Sequence, residues 1–161
     1  MKKKNAIEQI KNQLEIFRSH DVDREILAAI RQNDRLNAAL ANGITINDLH
    51  IIRAAAAKDG VKISAIVDQV PMTQGAVSKA VNKLAERGLL QKSHHPDNRK
   101  DTFVELTAPG ETINQIHSDY HGQEETKLAE LADSYLKNEL EMIAEFVTSL
   151  NQIRQNNSEL K

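Results

Sequence analysis

Side chains suited to contacting nucleic acid are concentrated between residues 73 and 100. The segment Gln74–Arg87 has apolar residues Val77, Val81 and Leu84 at helical spacing, while the positions outside this stripe include amides, a hydroxyl, a glycine and lysines. Small residues allow close approach, amides and hydroxyls can bond to base edges, and lysines can neutralise phosphates. An ordinary amphipathic surface helix is the plain alternative. The candidate contact residues are Thr73, Gln74, Gly75, Ser78, Lys79, Asn82 and Lys83.

A predicted β-hairpin with a basic tip follows this helix. Gly88 ends the helix, and an extended stretch leads to the turn-rich segment Pro96–Asp101. The alternation in Thr102–Leu106 is typical of a returning strand. An arginine at such a tip can enter a minor groove, where the negative potential is strongest. The candidate contacts in the hairpin are Asn98, Arg99 and Lys100, with Arg99 assigned to the groove.

The charge distribution supports the same chemistry. The chain has a formal net charge of −2. The segment Pro71–Lys100 contains six cations and two anions, a local balance of +4, so the remainder holds −6. Phosphate contacts need local cations and not a basic average, which makes this basic stripe compatible with duplex DNA as a partner. A solvated charged face is the alternative.

The elements that must position these residues are mostly helical. Apolar spacing predicts helix over about residues 6–41, interrupted near 19–22, and a second helix from Thr45 to a glycine stop at Gly60. A short third helix precedes Thr73, which can cap the fourth. The predicted fold class is mainly α with a small β-hairpin wing, a winged helix-turn-helix with N- and C-terminal dimerisation helices.

The C-terminal region contains a heptad-like apolar seam, which predicts pairing with a second copy. Its members are Leu136, Leu140, Ile143, Val147 and Leu150. Packing of the seam inside its own subunit is the alternative. We expect one domain over 1–161, with dimerisation helices at 1–42 and 108–156, a DNA-binding lobe at 45–106 and a polar tail at 157–161.

Composition narrows the class of protein. The 161 residues include no cysteine, which removes disulfides and thiolate chemistry and fits the reducing cytoplasm. The sequence shows no signal peptide, membrane span, phosphate-binding glycine loop or nucleophile motif, so we expect a cytoplasmic protein that is not an enzyme. The alternative function is a helical protein-interaction module without DNA binding. Salt dependence of duplex binding separates the two.

Taken together, three stretches resemble the MarR family of winged-helix repressors. They are GIT (43–45) leading to His50; TQGAVSKAVNKL (73–84) with ERGLL (86–90); and DNRK (97–100) continuing to LTAPG (106–110). The resemblance implies a ligand-responsive repressor that acts as a homodimer on a palindromic operator. The chain departs from the family at Lys62, where a capping serine or threonine is common at the start of the third helix.

Three histidines could bind a metal ion. His117 and His121 are four residues apart and so project from one helix face, and His50 lies in the predicted second helix. Their positions are similar to those used in the zinc-responsive branch of the MarR family, where a carboxylate from the first helix completes the site. Here Asp34 is the nearest carboxylate, so the match is incomplete. No cofactor is required, and the effector is a metal ion such as zinc, a small organic compound, or absent.

Overall fold

The computed structural model describes residues 3–95 and 98–158, apart from the side chains of residues 95, 98, 99 and 156–158. The chain divides into two compact units, Met1–Asp119 and Tyr120–Lys161, and each is considered by itself. Within the described residues, no helix combines the length and apolar character needed to cross a membrane.

The first unit contains helices α1 to α6, a small antiparallel sheet and the start of α7. The helices are α1 (Lys3–Ser19), α2 (Val22–Arg31), α3 (Ala38–Ala41), α4 (Ile46–Ala54), α5 (Ile63–Val67), α6 (Gln74–Glu86) and α7 (Ala108–Ala132). The strands are β1 (Val61–Lys62), β2 (Leu90–His95) and β3 (Asn98–Leu106), in the order β1-β3-β2. This mostly helical fold with a small wing confirms the predicted fold class.

The predicted helix over residues 6–41 is broken twice. The break at Ser19 was expected, but α2 also ends at Arg31 and α3 begins only at Ala38. Asparagine side chains bond to the backbone between them: Asn33 Oδ1 accepts from the Arg35 amide and Asn37 Oδ1 from the Ala39 amide. These local bonds compete with helical ones, so the apolar spacing alone overestimated the helix.

The second predicted helix also ends earlier than expected. It stops at Ala54, and Gly60 instead adopts a φ of +74° immediately before β1. In β1, Val61 pairs with Val104 and Lys62 with Phe103, so the predicted two-stranded hairpin is part of a three-stranded sheet. The hairpin prediction was correct, and the strand that β1 adds was missed.

A tight corner joins the sheet to α7. The Thr107 hydroxyl donates to the Gly88 carbonyl at 2.6 Å and accepts from the Gly110 amide at 3.3 Å, so Thr107 caps α7. A Cβ built on Gly110 would lie 2.1 Å from the carbonyl oxygen of Leu89. Only glycine, which has no Cβ, allows this close approach. This explains why a glycine follows the capping residue Thr107 at position 110.

The second unit consists of the end of α7 and α8 (Lys137–Ser158). None of its described residues is buried. Of the predicted seam, Leu136 precedes α8 and is 66% exposed, while Leu140 and Ile143 on the helix are 37% and 46% exposed. The seam is therefore apolar surface that this chain alone leaves in contact with water.

Candidate nucleic-acid interface

The helix α6 is anchored by its apolar stripe. Val77, Val81 and Leu84 are fully buried, and the helix packs against α4, α5 and β2. The Thr73 hydroxyl accepts a hydrogen bond from the Ala76 amide at 3.3 Å, as expected for the N-cap. Because one face is fixed in the core, the opposite face of α6 must point into solvent.

That outward face is formed by Gln74, Gly75, Ser78, Lys79 and Asn82. At about 100° per residue, these five positions span an arc of roughly 140° on the helix. All are exposed except Ser78, which is half-buried. In the described part of the chain, no hydrogen bond or ion pair engages the side chains of Gln74, Ser78 or Lys79. Lys79 is therefore an available cation at one edge of a polar face.

Lys83 lies on one flank of this face and contacts α4. Its ammonium is 2.7 Å from Oδ2 of Asp48, a carboxylate that is only 2% exposed. The same Asp48 oxygen accepts from the Thr45 amide at 3.0 Å, and the Thr45 hydroxyl accepts from the Asp48 amide at 3.2 Å. This capping box gives Asp48 a structural role, and Lys83 neutralises its buried charge. The sequence alone predicts only a DNA contact for Lys83.

The outward face also contacts the wing. Asn82, near the middle of the face, accepts a hydrogen bond at its amide oxygen from the ammonium of Lys92 on β2. Both side chains are exposed, so the contact lies at the surface between α6 and the hairpin. It occupies one lone pair of the oxygen and leaves the amide nitrogen of Asn82 available for further bonding.

Arg87 is one of the cations of the basic stripe, and its side chain bonds to main-chain groups of the same chain. Its guanidinium donates to the carbonyl oxygens of Leu40 at 2.7 Å, Asn42 at 2.6 Å and Gly43 at 3.2 Å. These carbonyls belong to the C-terminal end of α3 and the two residues after it, where a cation is electrostatically favourable. Arg87 therefore fastens the end of α6 to the chain leaving α3. The contact joins residues more than 40 positions apart and left no signal in the local sequence.

The wing is described at its base but only partly at its tip. Gln91 on β2 bonds to Glu105 on β3 at 2.9 Å, and Lys62 pairs with Asp101 at 2.6 Å. The side chain of Lys100 is exposed. The side chains of Asn98 and Arg99 lie outside the described residues, so their assignment to DNA stays a prediction.

The four candidate metal ligands differ in their surroundings. His117 is 4% exposed, His50 is half-buried, and Asp34 is exposed. The Nδ1 atom of His121 is 3.7 Å from a carboxylate oxygen of Glu124. Among the described residues, no three histidine or acidic side chains lie together in a group that could hold a metal ion. The assignment of these four residues to a zinc site stays a prediction.

The helix boundaries bear on the predicted carboxylate ligand. Asp34 was predicted to lie on a continuous first helix, but α2 ends at Arg31 with Gln32 as its C-cap. Asp34 is thus in the turn beyond the helix, not on a helix face.

Comparison with known proteins identifies the fold. Residues 43–110 match a family model described as a winged helix DNA-binding domain. The chain is 24% identical over 97 residues to the uncharacterized HTH-type transcriptional regulator YhjH of Bacillus subtilis, covering 60% of this chain and 55% of that one. The chain thus spans little more than half the length of this curated relative.

Solved structures extend the likeness to nearly the whole chain. A Streptococcus pneumoniae FabT structure in complex with DNA is similar at a TM-score of 0.64 and 20% identity, covering 93% of this chain and 98% of that one. Lactococcus lactis ZitR, a zinc-responsive MarR family member, is similar at 0.62 and 23%, covering 92% and 96%. At these identities, the structures establish a shared fold.

The buried stripe of α6, its outward polar face and the adjoining hairpin define a winged-helix DNA-binding protein. The family model agrees with this class. Residues 43–110 form a winged-helix DNA-binding domain, and the chain shares the fold of MarR-family structures. The curated relatives are described as transcriptional regulators, which agrees with the expectation that the chain is not an enzyme.

Proposed function

We propose that the chain is a repressor that binds a palindromic duplex operator as a homodimer. The observation that carries the proposal is the outward face of α6, where Lys79 lies among amide, hydroxyl and glycine positions. In this arrangement α6 enters the major groove, and the hairpin β2–β3 lies against the sugar-phosphate backbone. Thr73, Gln74, Gly75, Ser78, Lys79, Asn82 and Lys83 contribute from α6 and its cap, and Asn98, Arg99 and Lys100 from the hairpin.

The exposed apolar surface supports the dimer. Leu136, Leu140 and Ile143 expose large side chains, and α1 exposes Phe17 at 75%. Burying one such side chain gives about 1.5–3 kcal/mol, so a few of them pairing across two copies outweigh part of the entropy lost on association. A two-fold dimer also places two recognition helices on half-sites about one helical turn apart.

Duplex binding as a function of salt tests the proposal against a protein-interaction module. The operator is first obtained by selection from random duplexes with the full chain. We expect the logarithm of the binding constant to fall linearly with the logarithm of salt, with a slope of about −0.9 for each phosphate neutralised. The absence of any selected sequence or of a salt-dependent complex contradicts DNA binding. In vitro transcription from a promoter overlapping the selected site then tests repression, which predicts fewer transcripts as protein is added.

Regulation by a small effector is part of the proposal, and its chemical class is decided by experiment. ZitR, which shares the fold, is zinc-responsive. In this chain, however, the described histidines and carboxylates do not gather into a metal site. Operator affinity is measured with added zinc and with a chelator, for the natural chain and for His117→Ala. If zinc changes the operator affinity and His117→Ala abolishes that change, the effector is a metal ion. If zinc and the chelator leave the affinity unchanged, the effector is an organic ligand or there is none.

A further inference from the structure

Two polar side chains of α6 differ in what they can still offer to DNA. Beside the outward face, Lys83 is paired with the buried carboxylate of Asp48. Near the middle of the face, Asn82 is exposed and its amide oxygen is bonded to the ammonium of Lys92. Asn82 belongs to the outward face itself, so its hydrogen-bonding capacity bears directly on base recognition. This inference rests on the proposed function, in which α6 enters the major groove.

An asparagine amide has two chemically different ends. Its carbonyl oxygen accepts and its NH2 group donates, and both are needed for the paired bonds with adenine N6 and N7. Guanine presents only acceptors, O6 and N7, on its major-groove edge. The carbonyl oxygen of Asn82 has two lone pairs, and the ammonium of Lys92 takes one of them and holds that oxygen towards β2, so the amide presents mainly its donor end to a base. That donor end matches guanine and leaves the adenine N6 donor without a partner.

We propose that Lys92 is a specificity-determining positioning residue, which holds the amide oxygen of Asn82 so that its NH2 group is presented to the groove and favours guanine over adenine. Lys92 lies on β2, and the hairpin therefore contributes to base selection through Asn82 as well as to phosphate binding. The contact also fixes the side chain of Asn82 before DNA arrives, which reduces the entropy lost on binding.

The test compares base preference in four variants of the full chain. Operators are selected from random duplexes, and affinities are measured for single-base changes at each position. Asn82→Ala first identifies the base pair that Asn82 contacts, because its preference is lost only there. At that base pair, the natural chain is expected to prefer guanine, and Lys92→Met to shift the adenine-to-guanine affinity ratio by about tenfold towards adenine.

Two further variants separate positioning from charge. Lys92→Arg can still donate to the Asn82 oxygen and is expected to retain the guanine preference. Lys100→Met removes a cation from the wing without touching Asn82, and it is expected to lower the affinity for all sequences alike. Thermal unfolding of Lys92→Met checks that the variant is folded, which its exposed position predicts.

The outcomes distinguish this inference from the proposed function. If the natural chain selects no duplex sequence, the proposed function itself is wrong. If it selects an operator but Lys92→Met leaves the adenine-to-guanine ratio unchanged, DNA recognition stands and the role of Lys92 is overturned. The role is equally overturned if Asn82→Ala changes the preference at no position, or if Lys100→Met shifts the ratio as much as Lys92→Met does.

Discussion

The ammonium of Lys83 on α6 lies 2.7 Å from the carboxylate of Asp48, which is 2% exposed at the start of α4. The pair joins the outward helix to the element behind it across 35 residues of sequence. Asp48 closes the capping box of α4 at the same time, so one carboxylate stabilises a helix end and locates the neighbouring helix.

This pairing predicts a graded loss of stability. Asp48→Ala removes both the cap acceptor and the ion pair, and we expect the free energy of unfolding to fall by about 2 kcal/mol. Lys83→Met leaves the capping box and is expected to cost about 1 kcal/mol, since the lysine is partly exposed. Chemical denaturation measures both. Lys79→Met, on an exposed and unpaired lysine, is the matched control and should change little; equal losses in all three variants contradict the assignment.

Substitutions of Lys79 and Arg99 are predicted to weaken DNA binding in different ways. Lys79→Ala removes a cation that faces the base edges, so the loss, about 1–3 kcal/mol on a preferred site, should depend partly on sequence. Arg99→Ala should weaken binding more uniformly and reduce the salt slope by about 1. Fluorescence anisotropy on the selected operator and on unrelated duplexes measures both. The assignment fails for both residues if neither substitution changes affinity.

Arg87 is predicted to be a poor phosphate ligand despite its charge. Its guanidinium is occupied by carbonyls of Leu40, Asn42 and Gly43. Arg87→Gln should therefore leave the salt slope of DNA binding unchanged while lowering the free energy of unfolding by about 1–3 kcal/mol, because several acceptors lose a charged donor. Lys100→Gln is the comparison, for which the slope should become shallower by about 1. A shallower slope in Arg87→Gln would mean that this arginine reaches phosphate.

The corner at Gly110 is predicted to reject any side chain. Gly110→Ala would place a methyl group 2.1 Å from the Leu89 carbonyl, so the backbone must shift, and we expect a loss of about 1–3 kcal/mol. Gly122, in the same helix, has no atom within 4 Å of a built Cβ. Gly122→Ala should therefore stabilise the chain by about 1 kcal/mol through helix propensity. Thermal unfolding compares the two, and opposite signs are the expected result.

The seam on α8 is predicted to hold two copies together. Leu140→Lys and Ile143→Lys place charges on exposed apolar positions and should shift the protein from dimer to monomer at micromolar concentration. Sedimentation equilibrium measures the shift. Glu145→Lys changes the charge of another exposed position on α8 and serves as the control. A natural chain that is already monomeric, or variants that remain dimeric, would contradict the seam.

The sequence could predict the parts of the fold that depend on residues close together in the chain and recur at regular spacing. The stripe of Val77, Val81 and Leu84 and the caps at Thr73 and Thr107 are local patterns, and the structure reproduces them. Strand β1 has two residues, too few for any periodicity to appear. The break between α2 and α3 depends on asparagine side chains that bond to their own backbone, which apolar spacing does not register.

The candidate DNA-binding site also combines a local pattern that the sequence predicts with contacts between distant residues that it does not. Its outward face on α6 was predicted in full, because helical spacing defines a face without knowledge of the partners. The contacts of Asp48, Lys92 and Arg87 were missed, because each depends on which distant segment the fold brings near. The metal site stays a prediction, because it relied on the spacing of His117 and His121, and spacing on one helix cannot locate a third ligand on another.

The hydrogen bonds of Arg87 have an evolutionary consequence. Their acceptors are main-chain oxygens, which every amino acid supplies, so the side chains of Leu40 and Asn42 can change without weakening these bonds. Gly43 is less replaceable, since its φ of +77° disfavours residues with a side chain. Arg87 itself has no equivalent, because lysine lacks the planar fork that serves several acceptors at once. Natural variation is therefore expected to accumulate before Gly43 and to spare position 87.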